Sequence, residues 1–125
     1  MANTATIDPK AGPVSWSLSI THLKLGIYEG VVYDNSKSAA ENWEAQRTDD
    51  SLPDRFQMKT APANLIGGAL WWQCVVSDPN NEGGPFVCVV AVEQKGQVLC
   101  QDAVAGTIDP GSGQIQFIGD QIKFQ

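Results

Sequence analysis

Between Val14 and Thr21 the chain alternates without a break: Val14, Trp16, Leu18 and Ile20 hold the even positions, and Ser15, Ser17, Ser19 and Thr21 the odd ones. Successive side chains of a strand point to opposite faces, so this period of two predicts a strand with one buried face. After Thr21 the parity reverses, with Leu23 and Leu25 now the apolar positions, and a bulge or strand end near His22 accounts for the switch. Ile27-Tyr28 and Val31-Val32-Tyr33 read as a further strand, punctuated by Gly26 and Gly30. The Ser/Thr face reads first as a solvated face. A hydroxyl-lined recognition surface and an edge open to strand pairing are the sharper alternatives.

The second half of the chain carries the same signal in longer segments. Stretches 65–76, 86–94, 97–106 and 114–124 are rich in apolar and β-branched residues and are separated by turn chemistry. The nine residues 77–85 form a polar loop, Lys95-Gly96 suits a tight hairpin turn, and residues 109–113 read as another hairpin connection. Short connections between successive strands predict an antiparallel meander from Leu65 onward.

Residues 34–55 differ, with six acidic side chains and few apolar ones. Ser38 followed by Glu41 has the spacing of a capping box, and the run 39–46 contains good helix formers. A short helix is therefore predicted near residues 38–47, with Trp43 on its inner side. The fold class that results is all-β and mostly antiparallel: one domain over residues 1–125, a β-sandwich or small β-barrel with that single short helix. A Thr-Ile-Asp-Pro turn occurs twice, at residues 6–9 and 107–110, each time with a Gly three residues after the Pro and then an alternating strand. A common turn used twice explains this better than a repeat architecture.

Length and charge narrow the partners. At 125 residues the chain can bury roughly two thirds of its unfolded surface, enough for a core without metal or disulfide. With 14 acidic against 8 basic residues and a net charge of −6, it suits neither nucleic acid nor an anionic membrane surface. The eight basic residues are scattered, and the longest acidic run is Asp49-Asp50. The longest apolar stretch, 65–72, is too short for a membrane span. No basic and apolar leader is visible, which points to the cytoplasm, with a removed leader left open.

Cys74, Cys88 and Cys100 make an odd set, best read as free thiols in a reducing compartment. If residues 77–85 close a hairpin, Cys74 and Cys88 fall opposite each other, so a pair between them stays open. His22 is the only histidine, which rules out a His-rich metal site; a zinc set of His22 and the three cysteines lacks the usual close pairing. No metal and no cofactor are expected. Oxygen ligands crowd Asp78, Asn80, Asn81 and Glu82, but any loop of this length would use such residues. Nucleophile-elbow and phosphate-loop patterns are missing. Glu29, Glu82, Glu93, Asp78 and Asp102 are available carboxylates, each with an ordinary surface or turn explanation.

The aromatic inventory carries the best hint of binding. Trp16, Trp43, Trp71 and Trp72 are four tryptophans in a short chain. Trp71 and Trp72 must point to opposite faces of a strand, so one ring is exposed, covered by the helical segment, or hidden in an oligomer interface. An exposed indole offers a flat apolar platform with an N–H donor. The expectation is a non-catalytic binding module for a small molecule or glycan, lectin-like, with Trp71, Trp72, Trp43, Asn80 and Asn81 as candidate ligand-binding residues. A small β-barrel isomerase or cyclase using a carboxylate or tyrosine in an apolar cavity is the first alternative. A structural or assembly subunit is the second, and a homo-oligomer stays open in every case.

Overall fold

The strand at Val14–Ile20 forms as its alternation requires, and it is an inner strand of its sheet, paired along both edges. The computed structural model describes residues 3–21, 25–47, 52–113 and 115–125. The parity switch at His22 and the acidic pair Asp49-Asp50 lie outside the described residues. In chain order the strands are β1 (Asn3–Ala5), β2 (Val14–Ile20), β3 (Leu25–Tyr33), β4 (Ala39–Arg47), β5 (Asp54–Gln57), β6 (Ala69–Ser77), β7 (Gly84–Gln94), β8 (Gln97–Ile108) and β9 (Gln116–Phe124), with one helical turn, α1 (Pro62–Leu65). They build two sheets, one in the order β1-β9-β6-β3-β4 and the other β5-β2-β7-β8. Every pairing is antiparallel except that of β1 with β9. This is an all-β sandwich. No helix among the described residues is long and apolar enough to cross a membrane.

Even positions of β2 enter the core: Trp16 and Leu18 are fully buried, with Phe86, Val90 and Val92 of β7 beside them. Leu70, Trp72, Cys74 and Val76 of β6 and Ile122 and Phe124 of β9 close the core from the other sheet. The Ser/Thr face of β2 is no free edge, because β5 and β7 flank that strand on both sides. Gly26 and Gly30 do not punctuate β3 but sit inside it. Their bare Cα atoms admit Ile20 and Trp16 of the opposite sheet, which a Cβ would meet at 2.2 and 2.4 Å. Glycine within a strand often marks such a close approach.

The segment expected as a helix near residues 38–47 is instead strand β4, paired along its length with β3. Its local helix propensity is real but weak, and tertiary pairing overrides it. Glu41, Trp43, Ala45 and Arg47 are the more buried positions and Asn42, Glu44 and Gln46 the exposed ones, a period of two hidden by polar residues on both faces. The Ser38–Glu41 spacing caps nothing. Glu41 accepts from the backbone N–H groups of Lys59 and Thr60 at 2.8 and 3.0 Å, while Asp34 Oδ1 organises the β3–β4 turn by accepting from Ser36 and Ser38.

Lys95 and Gly96 make the β7–β8 hairpin with positive φ at both positions, as the tight turn needs. The expected meander fails elsewhere. The 78–83 and 109–113 connections are not hairpins; they carry the chain from one sheet to the other. Asp78 holds the first by accepting from Gly83 N at 2.5 Å, and Gly111 N donates to Asn81 O at 3.0 Å, tying the two crossovers together. The two Thr-Ile-Asp-Pro turns lead into opposite sheets, β2 and β9, and each buries its isoleucine, Ile7 or Ile108.

Candidate functional site

The outer face of the five-stranded sheet is built in rows by strand register. Tyr33, Ala69 and Lys123 form one row; Asn42, Val31, Trp71 and Gln121 the next; then Glu44, Glu29, Gln73 and Gly119; then Gln46, Ile27, Val75 and Phe117. Side chains at paired positions share a face, so each row presents its residues side by side to solvent. Trp71 is 52% exposed and Phe117 76%, with Ile27 also exposed. Large apolar side chains placed together on a solvent face are the informative departure from ordinary burial.

Trp71 and Phe117 stand at opposite ends of a depression of about 830 Å³ whose lining also includes Ile27, Glu29, Gln73 and Gly119. Its floor is low because Gly119 carries no side chain between the two aromatic residues. Amide and carboxyl groups line the middle, where Gln73 Nε2 donates to Glu29 Oε1 at 3.4 Å. The Tyr33 ring meets Trp71 edge-on, with centroids 6.4 Å apart and planes at 76°, and so steadies the indole.

On the other side of Trp71 lies a second depression of about 530 Å³, floored by Gly67, Gly68 and Ala69 and bordered by Tyr33, Lys37 and Lys123. Lys37 Nζ donates to the Gly67 carbonyl. Trp71 and Gln121 line both depressions, so the indole is the ridge between an end with carboxylates and an end with two lysines.

Trp71 is the one of the five candidate binding residues that offers its ring to this face. Trp72 turns inward and is 3% exposed. Trp43 is half-buried, packed against Trp16 at 5.9 Å and Phe56 at 5.8 Å. Asn80 and Asn81 are exposed in the 78–83 crossover, beyond the end of β6, about 20 Å along that strand from Trp71 at ~3.3 Å per residue. Residues missed by the sequence reading are Phe117, Ile27, Tyr33 and Gln121. The signal for Phe117 was its parity, since Ile118, Ile122 and Phe124 of the same strand form the even, inward set.

Two further polar clusters lie at the seams between sheets. Tyr28 Oη donates to Asp54 Oδ2 at 2.5 Å, and Arg47 Nη1 reaches Asp54 Oδ1 at 3.3 Å and the Leu52 carbonyl at 2.9 Å. Burial, then the Asp54 carboxylate, holds the Tyr28 phenol neutral well above the usual tyrosine range. At the other seam Asp102 of β8 is 8% exposed and faces Asp120 of β9, the Trp72 indole and the Asn3 amide. Burial, and next the like charge of Asp120, raises the Asp102 carboxyl above its ordinary range.

Two other carboxylates have structural partners: Asp78 holds Gly83 N and Glu93 pairs with Arg55. Among the described residues no three His, Cys, Asp or Glu side chains gather as a metal-ligand set. His22 lies outside those residues. No family model, no characterised protein and no solved structure matches the chain, so its chemistry is argued from its own side chains.

Proposed function

We propose that this chain is a carbohydrate-binding module whose ligand lies across the outer face of the five-stranded sheet. The half-exposed indole of Trp71, standing as a ridge between two depressions, is the observation that carries the reading. A pyranose presents a face of C–H groups that stacks on an indole, and its hydroxyls need donors and acceptors around the rim. Glu29, Gln73 and Gln121 supply those groups, and Phe117 offers a second apolar surface further along. The Lys37 and Lys123 end suits a sugar that carries a carboxylate. Pre-formed strands hold all these groups, which keeps the ordering cost of binding small.

Titration with a panel of neutral and acidic oligosaccharides, followed by tryptophan fluorescence, tests this reading. Binding that quenches or shifts the emission of the native chain and is lost in Trp71→Ala supports it. A fixed oligomer in light scattering whose Trp71 is shielded from a soluble quencher contradicts it, because a second copy would then cover the face.

A further inference from the structure

Cys74 lies on β6 at 2% exposure and Cys88 on β7 at 0%, both with side chains directed into the core. No ladder joins these strands, since β6 belongs to the five-stranded sheet and β7 to the four-stranded one. Across the interior the two thiols nonetheless act on each other: Cys88 holds the Cys74 thiol below the ordinary cysteine range and Cys74 pushes the Cys88 thiol above it. The packing around them explains the approach. Cys74 stands opposite Tyr28 and Ile118 in its own sheet, and Cys88 opposite Ile20 and Val104 in its sheet. Gly26 of β3 lies on the inner face of the five-stranded sheet: a Cβ there would be 3.2 Å from Cys74 Sγ and 2.2 Å from Cδ1 of Ile20, the cross-strand neighbour of Cys88. A bare position on β3 thus lets the side chains flanking both cysteines close up.

We propose that Cys74 and Cys88 form a dithiol site that oxidises to a disulfide pinning one sheet to the other, with Cys100 left free. Facing side chains from two packed sheets are the arrangement that an inter-sheet disulfide requires. Cys100, half-buried on β8, stands opposite Val92 in its own sheet and has no thiol beside it among the described residues.

The oxidant is a low-molecular-weight disulfide such as oxidised glutathione. While the chain folds, the Cys74 thiolate attacks one sulfur of that disulfide. A mixed disulfide forms and the first glutathione thiolate leaves. Cys88 then loses its proton and attacks the Cys74 sulfur, expelling the second. Two protein thiols are oxidised, one disulfide is reduced to two thiols, and the two protons leave with them. Both sulfurs are buried in the native sandwich, so the exchange takes place while the chain folds, and the finished bond is then shielded from reductant.

The test is refolding from urea in a glutathione redox buffer, compared with refolding in excess reductant. Each sample is alkylated and cut at Glu82, in the crossover between the two cysteines. The expected result is two fragments that stay joined without reductant and separate with it, with Cys100 alkylated throughout. A rise of the thermal midpoint on the order of 10 °C over the reduced chain accompanies the bond. Cys100→Ser should keep the cross-link, and Cys88→Ser should lose it. Full alkylation of all three cysteines, after denaturation, in chain that was refolded in the glutathione buffer overturns the proposal. So does a cross-link that runs through Cys100.

Discussion

Gly30 lies directly beneath the indole of Trp16: a Cβ on Gly30 would stand 2.4 Å from Cζ2 and 2.7 Å from Cη2. The two residues belong to opposite sheets, so the distance between the layers at this point is set by a ring resting on bare backbone. Trp16 is fully buried and also packs on Phe56 at 5.0 Å and edge-on to Tyr28 at 6.2 Å. Gly30→Ala should therefore destabilise the chain by about 1–3 kcal/mol through overpacking, although alanine is the better residue for an ordinary strand. Trp16→Ala should cost about 3–5 kcal/mol through the cavity it leaves. Urea unfolding monitored by circular dichroism measures both. A Gly30→Ala chain as stable as the native one would show that the layers are not held at that spacing.

The Arg47–Asp54 pair links β4 of one sheet to β5 of the other, with Tyr28 bound to the second carboxylate oxygen. Asp54→Ala removes the acceptor of both and leaves a buried guanidinium short of one partner. A loss of about 1–3 kcal/mol is expected in the same unfolding experiment. Tyr28→Phe should cost less, because the Asp54 side chain is 35% exposed and water can replace the phenol as donor.

Two raised pKa values give opposite ends of the stability profile a defined shape. Tyr28 binds its proton more tightly folded than unfolded. The stability this contributes is complete below the ordinary tyrosine range and falls away as pH rises through that range toward the folded value. Tyr28→Phe should flatten the alkaline decline. Asp102 is also raised, so its contribution is present below the ordinary aspartate range and is lost as pH climbs to the folded value. Asp102→Asn should raise the thermal midpoint at neutral pH, and the gain should vanish in acid. A gain that persists unchanged below the aspartate range would show that Asp102 is not the titrating group.

Much of the architecture was legible in residues 14–21, where alternation is strict and one face is wholly apolar. It was illegible at β4, because Glu41, Asn42, Glu44 and Gln46 leave Trp43 and Ala45 as the lone apolar marks of the inner face, and local propensity filled the gap with a helix. Turn chemistry located the loops at 78–83 and 109–113 but could not say which sheet the next strand joins. That choice belongs to the packing of two layers, and it brought Cys74 and Cys88 together across the core rather than across a hairpin. At the candidate site, sequence parity separated Trp71 from Trp72 without telling which one faces out. The neighbours decide it: Leu70, Cys74 and Val76 share the face of Trp72. Phe117 and Ile27 come from strands distant in sequence, and only the β3-β6-β9 register aligns them with Trp71.

The most direct measurement of the carbohydrate-binding reading is a calorimetric titration of native, Trp71→Ala and Trp43→Phe chains with the oligosaccharide that gives the largest fluorescence response in the panel. Trp71 is a surface residue, so Trp71→Ala should change folding stability by no more than about 0.5 kcal/mol. Its affinity should nonetheless fall at least tenfold, about 1.4 kcal/mol, while Trp43→Phe keeps the native affinity. Native affinity in Trp71→Ala, or no heat with any member of the panel, would contradict the account.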